Sequence, residues 1–139
     1  MTENKFPVKL QLRIDWSELD LFEHVNNVTF FKYLQASRLN VLETIGLLKY
    51  HKETGIGPLL ASLKCDFKKE LHFPGQITVQ ARIDFIKNTS FAISHQIIDD
   101  ENDLSAEAQD IIVLFDYKKR VKAHIPDIIR KQLEKLESK

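Results

Sequence analysis

From Leu63 to Lys118 the chain alternates apolar and polar residues in four successive runs. A chain patterned this way buries its apolar side most readily as an antiparallel sheet with one covered face. Leu63, Cys65 and Phe67 alternate with Lys64, Asp66 and Lys68. After the turn dipeptide Pro74-Gly75, the residues Ile77, Val79, Ala81, Ile83 and Phe85 alternate with Thr78, Gln80, Arg82 and Asp84. Asn88-Thr89-Ser90 forms the next turn, and Phe91, Ile93, His95 and Ile97 continue the apolar face. An acidic turn over Asp99 to Asp103 leads to a last, less regular strand from Ala106 to Lys118, where a bulge is expected near Asp110. Upstream, Val8, Leu10, Leu12 and Ile14 share one face of a fifth strand. Short turns between consecutive strands predict a meander.

Between the first strand and the others the period changes. Phe30, Leu34, Val41 and Ile45 fall at helical spacing, with Ser37 on the same stripe. Asn26 or Asn27 suits the N-cap, and Gly46 suits a C-terminal stop. The spacing predicts one helix of about 18 residues, roughly five turns long. Gly55, Gly57 and Pro58 read as the loop after it. Pro126 fits the first turn of a short terminal helix with Ile128, Ile129, Leu133 and Leu136 as its apolar stripe. The long helix must cover the sheet, so the expected class is α+β, one long helix packed on a five-stranded antiparallel sheet with a short C-terminal helix.

The 139 residues suit a single domain over 1–139. One cysteine allows no internal disulfide and points to a reducing compartment. The N-terminal MTENKFPVKL lacks the apolar core of a signal peptide, and the longest strongly apolar run, Ile111 to Phe115, is far too short for a membrane span. A cytoplasmic protein with no membrane partner is the expectation. Net charge is zero, although eight Lys/Arg against three Asp/Glu follow from Lys118 onward. That basic tail suits either a solvated helix face or contact with phosphates or an acidic carrier protein. No nucleic-acid-binding motif is present. Cys65 lies on an apolar strand face and reads as a buried thiol, and His95 reads as a core histidine between Ile93 and Ile97. His51, His72 and His124 are scattered without metal-ligand spacing.

The chemistry concentrates in Trp16-Ser17-Glu18-Leu19-Asp20-Leu21-Phe22-Glu23-His24-Val25-Asn26-Asn27, which runs from a strand to the start of the longest helix. A helix N-terminus offers unpaired N–H groups and the positive end of a dipole, where a developing oxyanion is stabilised. A carboxylate beside it can attack a carbonyl or activate water. These are the parts for acyl hydrolysis. The plainer reading of the same stretch is a polar loop with an Asn cap and a carboxylate on the dipole.

Asp20-Leu21-Phe22-Glu23-His24-Val25-Asn26-Asn27, followed by Phe30, Tyr33 and Arg38, resembles the D-x-x-x-H-V-N-N motif of the 4-hydroxybenzoyl-CoA thioesterase family, in its H-V-N-N variant. Phe73-Pro74-Gly75, Ser90-Phe91 and Ile125-Pro126 extend the resemblance over nearly the whole chain. The resemblance implies the hot-dog fold, a curved antiparallel sheet wrapped on a long helix. It implies an acyl-CoA or acyl-carrier thioesterase with Asp20 as catalytic carboxylate and the Asn27 backbone N–H polarising the thioester carbonyl. His24 and Asn26 would line the pocket, Phe30 would contact substrate, and Lys87, Asn88, Thr89 and Ser90 would lie near coenzyme A. Coenzyme A enters as part of the substrate, with no separate cofactor and no metal. The site forms between subunits, so a homodimer or homotetramer is implied. The sequence departs from the family pattern at Glu23, often Gly, at Phe30, usually Tyr, and at Gln35, commonly Glu. Two other roles stay open: a non-catalytic acyl-CoA-binding module, and a hot-dog hydratase or dehydratase. Acyl chain, carrier, and nucleophilic against general-base action of Asp20 also stay open.

Overall fold

The computed structural model describes residues 5–137. Its elements are β1 (Val8–Arg13), a 3-10 turn (Trp16–Glu18), α1 (Asn27–Thr44), α2 (Leu47–Thr54), β2 (Ile56–Phe67), β3 (Gln76–Ile86), β4 (Ser90–Ile98), β5 (Leu104–Asp116), β6 (Val121–Lys122) and α3 (Asp127–Lys135). Five strands form one antiparallel sheet in the order β1-β3-β4-β5-β2, and the short β6 pairs with β5. The sheet curls into a half-barrel around α1.

The helical stripe lies where its spacing puts it. Phe30, Leu34, Ser37, Val41 and Ile45 are all buried against the sheet. Fully burying each such apolar side chain contributes roughly 1.5–3 kcal/mol. Helix α1 packs mainly on β1, β3 and β4. It carries two apolar clusters, one toward each end. Phe30, Tyr33 and Leu34 meet Ile14, Val25, Leu71, Ile77, Val79 and Ile97. Val41, Leu42 and Ile45 meet Ile83, Phe91, Ile93, Ile112 and Leu114, with Ile129 and Leu133 of α3 closing that end.

A polar layer lies between the clusters. Ser37 Oγ and His95 Nδ1 are 2.9 Å apart, His95 Nε2 lies 2.9 Å from Asp110 Oδ2, and Arg38 Nε donates to the same oxygen at 2.7 Å. Asp110 is 0% exposed. Burial pushes its carboxyl up, but the hydrogen bonds and charges of His95 and Arg38 outweigh this and hold it below the usual carboxylate range. His95 is thus the satisfied core histidine its position suggests.

Several expectations need correcting. Gly46 does end α1, but in the left-handed region (φ 80°) it also starts a second helix, α2, which Gly55 (φ 83°) closes. Gly57 and Pro58 belong to β2 rather than to a loop. The four later strands do not form one meander: β2 lies beyond β5 rather than beside β3. Pro58 is tolerated because β2 is an edge strand. No register shift falls at Asp110; the β2–β5 shift lies between Leu60 and Ser62, opposite Ile112 and Ile111. Ile128 is 65% exposed, so the α3 stripe is carried by Ile129 and Leu133.

Candidate active site

The loop from β1 to α1 is fixed by its own polar groups. Asp15 caps the 3-10 turn by accepting from the Ser17 N–H at 2.8 Å, and Glu18 Oε1 accepts the Asp15 N–H at 2.8 Å. Glu18 Oε1 also accepts the Tyr33 hydroxyl at 2.7 Å, tying the turn to α1. Burial, with that hydrogen bond and the Glu18 charge, holds the Tyr33 phenol well above its ordinary value, so it stays a donor. Glu18 therefore has a structural task.

Asp20 is locked next. Its Oδ1 accepts the Phe22 N–H at 2.8 Å and the His24 N–H at 3.2 Å, while its own N–H donates to the His24 carbonyl at 2.7 Å. Asp20 Oδ2 has no hydrogen-bond partner among the described residues. One oxygen holds the loop and the other remains available for chemistry. The turn places Glu23 at φ 67°, the left-handed region where glycine is favoured. The loop is then pinned from outside. Asn26 N–H donates to the Glu18 carbonyl at 2.8 Å, Val25 N–H donates to the Leu71 carbonyl at 2.9 Å, and His24 bridges to His72 in antiparallel register.

Asn26 is the N-cap of α1. Its Oδ1 accepts the Val28 N–H at 2.9 Å and its carbonyl accepts the Thr29 N–H at 2.9 Å. Among the described residues the Asn27 N–H has no acceptor, so it stands as a donor at the positive end of an 18-residue helix.

These groups open on a common cleft of about 470 Å³, lined by Asp20, His24, Val25, Asn27, Phe30, Phe67, Lys68, Lys69 and Glu70. Its apolar wall is the edge-to-face pair Phe30–Phe67, with ring centroids 5.1 Å apart. Lys69 is bound to Asp103 at 2.7 Å and Asp99 at 2.8 Å, and these hydrogen bonds hold its ammonium well above its ordinary value. It is a fixed cation on the rim. His24 Nε2 reaches Glu70 Oε2 at 3.0 Å, and His72 Nε2 lies 3.5 Å from the same oxygen.

Asp20, His24, Asn27 and Phe30 are thus brought together, with Asn26 behind them as the cap. Lys87, Asn88, Thr89 and Ser90 are not part of this group. They form the β3–β4 turn, at the far end of β3 from Gln76, which pairs with Arg13 at the entry to the Asp20 loop. The 11 residues of β3 put roughly 30 Å between the two ends. There Lys87 pairs with Ser90, and the Asn88 and Thr89 carbonyls accept the Ile125 and Leu114 N–H groups. Sequence reasoning missed Phe67, Lys69 and Glu70 as cleft residues. Phe67 carried a signal, a large aromatic at the end of a strand, but Lys69 and Glu70 lie in a connection with no periodicity.

The structure superposes on the PA5185 protein of Pseudomonas aeruginosa PAO1 with a TM-score of 0.85 at 22% identity, covering 96% of this chain and 94% of that one. A Staphylococcus aureus protein, SAV2348, solved in complex with CoA, gives a TM-score of 0.86 at 10% identity, covering 95% of this chain and 86% of that one. At such identities the likeness is one of fold, and the fold is the hot-dog. In sequence, the chain is 19% identical over 130 residues to the long-chain acyl-CoA thioesterase FadM of Escherichia coli K12, across 93% of this chain and 98% of that protein. The Thioesterase-like superfamily matches residues 14–133, from the end of β1 through the Asp20 loop, α1 and the sheet to α3, and the chain belongs to that superfamily.

Proposed function

We propose that this protein hydrolyses an acyl thioester, of coenzyme A or an acyl carrier, to a free acid and a thiol. The observation that carries this reading is the convergence of the Asp20 carboxylate and the unpaired Asn27 N–H on one cleft at the start of α1. The thioester carbonyl oxygen would accept from the Asn27 N–H, aided by the helix dipole, so that charge developing on it is stabilised. Asp20 then has two routes. As nucleophile it attacks the carbonyl carbon, expels the thiolate and leaves an aspartyl–acyl anhydride, which water cleaves to the acid and the regenerated carboxylate. As general base it takes a proton from a water that attacks the same carbon. His24 sits beside it to orient substrate or water, and Phe30 with Phe67 offers an apolar wall to the acyl group.

A second subunit fits this reading. Strand β2 is a 12-residue edge strand with Leu59, Leu60 and Phe67 exposed, a surface that proteins ordinarily cover. The Lys87–Ser90 turn would reach coenzyme A in a cleft only from a neighbouring subunit, so its binding role depends on a homodimer or homotetramer. Among the described residues no helix is long and apolar enough to cross a membrane.

The relative that acts on long-chain acyl-CoA supports testing acyl-CoAs first. Turnover of a panel of short, long and aromatic acyl-CoAs, followed by thiol release, tests the reading. Release with at least one member supports hydrolysis. Saturable binding of acyl-CoA without release would support a binding module instead.

A further inference from the structure

We propose that His24, Glu70 and His72 form a binding site for a divalent transition ion of the Zn²⁺ class at the mouth of the cleft. Two imidazoles and a carboxylate are the donor set of several catalytic zinc sites, which leave a further position to water. Here both Nε2 atoms face one oxygen. Glu70 Oε2 is 3.0 Å from His24 Nε2 and 3.5 Å from His72 Nε2, and one ligating atom from each of the three residues lies within 4.8 Å of the others. Tetrahedral Zn²⁺ with bonds near 2.1 Å separates its ligand atoms by about 3.4 Å. The two distances to Glu70 Oε2 fall on either side of that spacing, and the two histidines have ligating nitrogens within 4.8 Å of each other.

The backbone accounts for the convergence. His24 and His72 lie 48 positions apart in the chain (72 − 24), but an isolated antiparallel bridge sets them directly opposite. The adjacent Val25 N–H donates to the Leu71 carbonyl at 2.9 Å and fixes that register. Directly paired strand residues carry side chains on the same side, and the two rings meet edge to face with centroids 5.1 Å apart. Their planes are 84° apart, so the two Nε2 lone pairs can approach one ion from different directions. Glu70 follows on the His72 segment. The side chains are open to solvent, at 36% for His24, 61% for Glu70 and 59% for His72, so an ion can enter and keep a water ligand.

The donor set also sets selectivity. Imidazole suits Zn²⁺, Co²⁺, Ni²⁺ and Cu²⁺, whereas Mg²⁺ and Ca²⁺ demand oxygen ligands. The site therefore takes Zn²⁺ in preference to Mg²⁺. Because Glu70 and His24 also line the cleft, a bound ion would hold the His24 ring and add positive charge at the entrance. The binding claim itself does not depend on thioester hydrolysis.

The test is calorimetric titration of the full chain with Zn²⁺, paired with Co²⁺ titration followed by visible absorption. We expect one ion per chain and no displacement by millimolar Mg²⁺. Loss of an outer partner alone typically weakens a metal site 10–100-fold. His72→Gln and Glu70→Gln, each removing a direct ligand, should weaken Zn²⁺ by on the order of 100-fold or more while the far-ultraviolet dichroism stays that of the parent. Cys65→Ala, remote from the cluster, should bind as the parent does. Absence of Zn²⁺ binding in the parent would overturn the proposal. So would unchanged affinity in both His72→Gln and Glu70→Gln, or loss of binding in Cys65→Ala alone.

Discussion

Replacing Asp110 by Asn should destabilise the protein by about 3 kcal/mol or more, because it breaks the Arg38–Asp110 ion pair in the polar layer between the two halves of the core. Asp110 is 0% exposed and receives Arg38 Nε at 2.7 Å and His95 Nε2 at 2.9 Å, while the Arg38 side chain is itself only 12% exposed. The amide keeps the volume and one acceptor oxygen but leaves the guanidinium largely buried without its counter-charge. Removing one partner of a buried ion pair costs about 3–5 kcal/mol. An independent count of two charge-assisted hydrogen bonds at about 1.5–3 kcal/mol each covers the same range. With a urea slope of about 1–3 kcal/mol per molar, a loss of about 3 kcal/mol lowers the unfolding midpoint by roughly 1–3 M. Parent and variant must be compared at one protein concentration, because any self-association makes apparent stability depend on it. The sign with pH follows from the depressed Asp110 carboxyl. Its contribution is fully present above the unfolded value of about 3.9 and is lost as pH falls through the lower folded value. The gap between parent and variant should therefore be constant near neutrality and shrink in acid below about pH 4. A loss under about 1 kcal/mol at pH 7 would refute the reasoning, since that is the size of an ordinary neutral hydrogen bond. The paired replacement of Arg38 by Met and Asp110 by Leu should recover much of the loss, as buried ion pairs often contribute little beyond an apolar pair of similar volume.

Asn26→Ala removes the acceptor of the Val28 N–H and should lower stability by about 1 kcal/mol in thermal unfolding. Cys65 is half-buried against the Phe30 end of the core, and burial, with the Asp66 charge, pushes its thiol up and away from thiolate. Cys65→Ala should cost about 1 kcal/mol and leave turnover within a few-fold of the parent; loss of activity in the folded variant would reverse that assignment. Light scattering of the parent should give a mass at least twice 16.2 kDa, and Leu60→Lys on the exposed edge strand should shift it toward the single chain.

Much of this architecture is written in local pattern. The alternation at Ile77–Ile83 and at Phe91–Ile97 predicts which residues are buried, and the stripe from Phe30 to Ile45 predicts the covered face of α1. Asn26 predicts its own cap. What pattern cannot supply is pairing between distant segments. Nothing local tells β2 to pair with β5, because an eight-residue connection, 68–75, separates it from β3 and leaves its partner open. The second helix is hidden because Gly46 reads equally well as an end and as a hinge between helices. Asp110 shares the face of Ala108 and Ile112, and a charge on a buried strand face is a sign of a buried partner. His95, on the apolar face of β4, is the counterpart that would have explained it better than a bulge. In the site, Asp20, His24 and Asn27 are adjacent in sequence and hence legible together, and the departure at Glu23 falls on a left-handed residue. Glu70 and His72 join them through the long-range bridge of His24 to His72 and the Val25–Leu71 hydrogen bond beside it.

If Asp20 performs the chemistry, the steady-state turnover of Asp20→Asn against the parent on the best acyl-CoA substrate shows it. Neither nucleophilic nor general-base action survives conversion to an amide, whereas the amide oxygen can still accept the Phe22 and His24 N–H groups that Asp20 Oδ1 holds at 2.8 and 3.2 Å. The variant should therefore fold and bind substrate while kcat falls on the order of 10²-fold or more, the loss typical of a positioned acid–base group. Glu18→Gln, which alters a side chain occupied by Asp15 and Tyr33, should keep most of its activity. An Asp20→Asn enzyme that turns over as fast as the parent would mean that Asp20 is neither nucleophile nor base.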